Sequence, residues 1–204
     1  VYKRQALANR IALYFLNLLA KQRPLQENGT LYETSSNYAG ADAMYTHQDC
    51  NAFMLVAPDL PADVREMWEQ ALAYPLRRFY SDRVSCENQS AHWLMKLYAL
   101  YKGSGKELYK QLAENFVKDL ANPAHDRFIR TGYLQESYGA DATYQGLCTS
   151  VLAFYFHLSG DPAAKQLLDR IYSFMNHTVA PEPDGTVLGA SGFSHRTMAV
   201  SYTH

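Results

Sequence analysis

An excess of charge of either sign is missing from this chain: 19 Lys and Arg stand against 20 Asp and Glu, for a net charge of -1. No basic stripe runs through it, so the phosphate-neutralising surface that nucleic acid demands is not provided. Cysteine is sparse. Cys50, Cys86 and Cys148 are odd in number, widely spaced and without a CxxC pair, which argues against a disulfide framework and against a zinc site. A nucleotide-binding loop and a GxSxG nucleophile motif are both lacking. The longest uncharged apolar stretch near the N-terminus, Ile11 to Ala20, is about half of what a bilayer-spanning helix needs and is interrupted by Asn17. It follows Lys3, Arg4 and Arg10, superficially like an export signal, but its 3-4 apolar spacing and its lack of a small-residue cleavage site favour an amphipathic helix. The composition therefore predicts no nucleic-acid partner, no membrane span, no metal and no cofactor.

What is present is a globular composition: 204 residues, 48% of them hydrophobic and 19% charged, against a usual charged share of about 25%. That length allows one good-sized domain or a fragment of a larger protein. Tyrosine stands out, with 16 copies gathered mostly around the loops. A ring with a polar tip suits wet recognition surfaces such as sugar clefts, and equally suits ordinary packing.

Apolar spacing of three and four predicts a helix over Leu7 to Lys21, closed by Pro24, and further helices over about 43–56, 62–80, 88–102, 105–120, 141–158 and 162–177. Short connections, Ala57 to Pro61, Lys102 to Gly105 and Ser159 to Pro162, carry the Pro and Gly of tight helix turns. They alternate with long ones, which gather at one end of the bundle and mark that end as the place for function. Gly40-Ala41-Asp42-Ala43-Met44-Tyr45 returns as Gly139-Ala140-Asp141-Ala142-Thr143-Tyr144, and in both copies the Asp is expected to cap a helix with a Tyr in its first turn. The repeat implies stacked helical hairpins. From Gly185 the pattern changes, and Thr186-Val187-Leu188 and Thr197 to Tyr202 read as strands without a partner in the chain, leading toward an absent β-domain.

Three motifs combine with this layout: Glu87-Asn88-Gln89-Ser90-Ala91-His92-Trp93 opening a helix, Gly132-Tyr133-Leu134-Gln135-Glu136 leading to Asp141 and Tyr144, and Phe193-Ser194-His195-Arg196 before a strand. In order and context they resemble the α/α-toroid polysaccharide lyases, the superfamily of chondroitin AC-type, hyaluronate, heparinase II/III-like and alginate lyases. The resemblance implies an all-α fold over residues 1–180, helical hairpins forming part of an (α/α) toroid, with a short β-forming C-terminal tail over 181–204. It implies a periplasmic or secreted enzyme that cleaves an acidic, uronate-containing polysaccharide or oligosaccharide by β-elimination. No His stands between Gly132 and Tyr144, where those lyases carry one; Glu136 and Asp141 stand there instead.

In that reading Asn88, Tyr144, His195 and Arg196 are catalytic. Asn88 would hydrogen-bond the substrate carboxylate so that it behaves as if neutral, and Tyr144 would act as base and then acid, with His195, Arg196 or Arg130 lowering its affinity for the proton. His92, Trp93, Tyr45, Tyr133, Tyr138, Glu136 and Asp141 would line the substrate cleft. Each has a plainer role open to it: a helix cap for Asn88 and Asp141, a core histidine beside Trp93 for His92, a packing aromatic for Tyr144. Two other functions fit the same architecture. A toroid hydrolase would use paired carboxylates among Glu33, Asp42, Glu136 and Asp141, and a non-catalytic scaffold would bind glycan on its tyrosine-rich loops. His47, Asp49 and Cys50, and the pair His125-Asp126, lack the spacing of a metal site.

Overall fold

The computed structural model describes residues 39–78, 87–122, 124, 132–135, 140–185 and 187–189. Among them are six α-helices: α1 (Ala39–Val56), α2 (Ala62–Ala73), α3 (Glu87–Ser104), α4 (Glu107–Ala121), α5 (Ala142–Ser159) and α6 (Pro162–Asn176). The expected helix over Leu7 to Lys21 lies outside the described residues. The chain divides into two compact units, one of residues 1–84 and 92–113, the other of residues 85–91 and 114–204.

In the first unit α1 turns inward with Cys50 and Phe53, three residues apart, and Ala57 just past its end continues the same face, all fully buried. Pro58 ends it by starting a single 3-10 turn over Ala57–Asp59, and α2 follows with Asp63 in its first turn, where a carboxylate meets the positive helix end. Phe53 packs edge-on against Trp68 of α2 with ring centroids 5.5 Å apart. Burying two such rings stabilises the unit by about 3 kcal/mol or more. Gly103 lets Phe53 settle on α3, since a Cβ there would lie 2.5 Å from Phe53 Cε1.

The helix expected to continue to residue 80 stops at Ala73. Pro75 has no N–H to give the helical ladder, and the chain tightens into a 3-10 stretch over Tyr74–Arg78. The turn from α3 into α4 uses Gly105 at φ 76°. There Ser104 Oγ accepts the Lys106 N–H at 3.2 Å. Glu69 of α2, 4% exposed, reaches this turn: its two oxygens take Lys106 Nζ at 2.8 and 2.7 Å and it accepts the Tyr109 hydroxyl.

In the second unit α5 and α6 pack as a hairpin, burying Val151, Leu152 and Tyr155 with Ala164, Leu167 and Ile171. The turn is built as the Gly160-Asp161-Pro162 pattern predicts. Asp161 Oδ1 caps α6 by accepting the Ala163 N–H at 2.8 Å, while Oδ2 accepts the Tyr155 hydroxyl at 2.9 Å. Burial, then that bond, hold the Tyr155 phenol well above its ordinary range.

After α6 the strand-like Val187 and Leu188 acquire the partner that the sequence was not expected to supply. Val179–Pro181 (β1) pairs antiparallel with Val187–Gly189 (β2), Ala180 opposite Leu188. The reason is the Glu182-Pro183-Asp184-Gly185 turn, closed by Gly185 N–H to Glu182 O at 3.0 Å, a Pro-Asp-Gly signature of a tight reversal. The second strand-like run, Thr197 to Tyr202, lies outside the described residues.

Candidate functional site

Chemistry-bearing side chains gather in two places, one in each unit. In the first unit α3 presents His92 and Lys96 one turn apart on a common face, with Trp93 three residues before Lys96. His92 is 7% exposed and Lys96 0%. Across from them α1 contributes His47, Asp49 and Cys50. The His47 and His92 rings meet with centroids 4.6 Å apart and planes tilted by 35°. Lys96 Nζ lies 5.1 Å from the centre of the Trp93 ring, close enough for a cation–π attraction in a dry setting.

Burial sets the protonation states. It pushes the His92 imidazole down to about 4, with His47 acting in the same direction, so His92 is neutral near pH 7. It raises the Asp49 carboxyl above its ordinary value, with Lys96 pulling the other way. It pushes the Cys50 thiol up to about 12, Lys96 lowering and Asp49 raising, so Cys50 is a packed thiol and no nucleophile. His92 Nδ1 and Asn51 Oδ1 are buried without a hydrogen-bond partner among the described residues.

In the second unit the Gly132-Tyr133-Leu134-Gln135 segment is fastened to α5 and α6. Gly132 sits at φ 94°, and a Cβ there would run into the carbonyl of Arg170, so only glycine fits. Tyr133 lies against Phe174 with centroids 5.2 Å apart. Gln145 Oε1 accepts the Leu134 N–H at 3.0 Å. Asp141, 1% exposed, caps α5: its Oδ1 accepts the Tyr144 N–H at 3.1 Å. Tyr144 is thereby held, half-buried, in the first turn of α5.

Of the residues expected from sequence, the structure brings Asp141 and Tyr144 together, sets Tyr133 beside the same helix pair, and places His92 and Trp93 on one buried helix. Asn88 belongs to α3 one turn before His92, and Tyr45 to α1; their side chains, with Glu136, Tyr138, His195 and Arg196, lie outside the described residues. The two Gly-Ala-Asp copies differ. Asp141 precedes α5 as a cap should, whereas α1 is already helical at Ala39, so Asp42 lies within the helix and not at its cap. The Asp141 carboxylate is spent on its own helix, the plainer of the two roles open to it.

One residue and one pairing were missed. Lys96 is the only charge between Ala91 and Leu100, a run buried throughout, and a lone ammonium in so apolar a stretch is the signal that marks it. The partnership of His47 with His92 had no local signal, because the pair is made by helix packing. Among the described residues no three His, Cys, Asp or Glu side chains are grouped to hold a metal ion, and no helix is long and apolar enough to cross a membrane. No protein-family model, curated protein or solved structure matches the chain.

Proposed function

We propose that the chain is the helical part of a polysaccharide lyase, periplasmic or secreted, that cleaves a uronate-containing glycan by β-elimination. The observation that carries this reading is the built character of the Gly132–Tyr144 motif. Asp141 caps α5 at the Tyr144 amide, Gln145 holds Leu134, and Gly132 closes on α6, so Tyr144 is fixed in the first turn of its helix, while Tyr133 rests on Phe174.

β-Elimination removes the proton next to the uronate carboxylate and expels the sugar oxygen on the neighbouring carbon. An amide donor from Asn88 lowers the cost of the enolate-like charge. Tyr144, in the first turn of its helix, takes the proton and returns one to the leaving oxygen. His195 and Arg196 are the proposed sources of positive charge for that step. The hydrolytic alternative loses one of its carboxylates, because Asp141 is buried and engaged in its cap.

The test is incubation of the chain, and of a longer form extending past His204, with a panel of acidic and neutral polysaccharides, reading ultraviolet absorbance and reducing ends together. A lyase raises both, through the unsaturated uronate it leaves. Reducing ends without absorbance mean hydrolysis, and silence from both forms means a binding scaffold.

A further inference from the structure

The contact between α1 and α3 gathers four ionisable groups into one largely buried place. The His47 and His92 rings meet there with centroids 4.6 Å apart, Lys96 is fully buried one turn after His92, and Asp49 stands two residues after His47. Three of the four are bases, and Asp49 is the one acid whose charge can offset theirs. Cys50, fully buried next to Asp49, keeps its proton and adds no charge. Tyr109 of α4 is close enough to Cys50 to be influenced by it, and Glu69 of α2 is already engaged by that phenol and by Lys106. With both rings neutral, the contact is a ring packing that joins two helices. With both protonated, it is two like charges beside the Lys96 ammonium, all poorly solvated. Burial, then the neighbouring His47, push the His92 imidazole down to about 4, so the folded chain favours the neutral form.

We infer that the His47–His92 contact is an acid-released latch, which holds α1 on α3 at neutral pH and lets the His47–Cys50 turn of α1 swing away once both imidazoles carry protons. Release is local because α1 has a second anchor. Three residues on from Cys50, Phe53 packs on Trp68 of α2 and rests against Gly103 of α3, and none of these three residues is ionisable, so acid leaves that end of the helix in place. Proton linkage sets the direction. Unfastened, His92 takes up its proton at the ordinary 6.5, and fastened only near 4, so between these values each opening binds about one proton and the open fraction grows about tenfold per pH unit. Asp49 works against release, since its carboxyl is raised where it stands and so binds a proton more readily in the closed form. His47 is half-buried, which lets solvent reach the pair without prior unfolding. The inference is independent of the lyase reading.

The experiment follows Cys50 on α1 and Cys148 on α5 in the whole chain from pH 7 to pH 4. Dipyridyl disulfide, which attacks thiols even in acid, labels them, and peptide mapping gives the protection of each: its rate in the urea-unfolded chain divided by its rate in the folded chain at the same pH. Cys50 is 0% exposed and Cys148 2%, so both begin protected. The expected result is that Cys50 loses protection by about tenfold per pH unit below 6.5, while Cys148 keeps its own and the helical signal persists. His92→Gln should flatten the Cys50 profile, and His47→Gln, at a half-buried position, should make it shallower. If His92→Gln does not fold, His47→Gln alone decides. Level Cys50 protection across the range, an equal fall at Cys148, or a fall unchanged in His47→Gln overturns the proposal.

Discussion

Glu69 and Tyr109, 40 residues apart in sequence, share a buried hydrogen bond that ties α2 to the start of α4. The carboxylate also holds Lys106, whose side chain is half exposed, so the phenol is its dry partner. Tyr109→Phe leaves a buried carboxylate one donor short and should cost about 1–3 kcal/mol. Lys106→Ala should cost less, because water replaces the ammonium. Urea unfolding of the two variants measures both, and a smaller loss for Tyr109→Phe than for Lys106→Ala would reverse the assignment of which bond matters.

The neutral His92 makes stability depend on pH in a stated direction. Its imidazole titrates at about 4 in the folded chain and at the ordinary 6.5 when unfolded, so between those values the unfolded chain binds more protons. The contribution is therefore complete above pH 6.5 and is lost as the pH falls toward 4, by roughly 1–3 kcal/mol. Asp49, whose carboxyl is raised, works in the opposite sense at the acid end. Comparing melting curves of the parent and His92→Gln from pH 7 to pH 4 isolates the histidine; parallel curves would mean that the imidazole is not buried neutral.

Gly132→Ala should disturb the tyrosine platform more than the hairpin beneath it. The new methyl meets the Arg170 carbonyl and the left-handed backbone turns unfavourable, a penalty of about 1–3 kcal/mol. Increased proteolysis near residues 132–135, with the helical signal of α5 and α6 retained, is the expected outcome. Asp141→Ala removes the α5 cap and should cost about 1 kcal/mol.

Turnover, once a substrate is in hand, separates the two central residues. Tyr144→Phe should lower kcat by about a hundredfold or more with the melting temperature unchanged. Asn88→Ala should lower it by a similar factor, and a loss of helical signal instead would assign Asn88 to the stability of the first turn of α3. A fully active Tyr144→Phe removes the phenol from the chemistry.

Cys50 and Cys148 should resist alkylation at pH 8 in the native chain and react only as it unfolds. Both are buried, and the Cys50 thiol is held near 12. Mass-spectrometric mapping of labelled peptides across a urea series reads this directly, and prompt labelling of Cys50 in buffer would contradict its burial.

The helices were legible because their apolar spacing is local: α5 and α6 were expected over 141–158 and 162–177 and stand at Ala142–Ser159 and Pro162–Asn176. Turn chemistry was legible where it was read, at Gly160-Asp161-Pro162, and lost where it was passed over, at Pro75 within an apolar pattern and at Pro183-Asp184-Gly185. Asp141 and Tyr144 were found because a cap and its helix are neighbours in sequence. His47 with His92, Asp49 with Lys96 and Glu69 with Tyr109 were not, since each pair is joined only when separate helices pack and no periodicity reports it.

Lys96 has one more consequence. Its ammonium is enclosed in a helix whose neighbouring residues Leu94, Leu97 and Leu100 are interchangeable in shape. Leucines alone would let α3 slip a turn along its neighbours at modest cost, since oily surfaces accept many alignments. Moving the charge a turn away from Asp49 strands it among hydrocarbons, at a cost of several kcal/mol. A single lysine thus acts as a key that admits one alignment of the helix and rejects the near misses, which makes Lys96→Met a route to a chain that is no less stable but less certain of its own register.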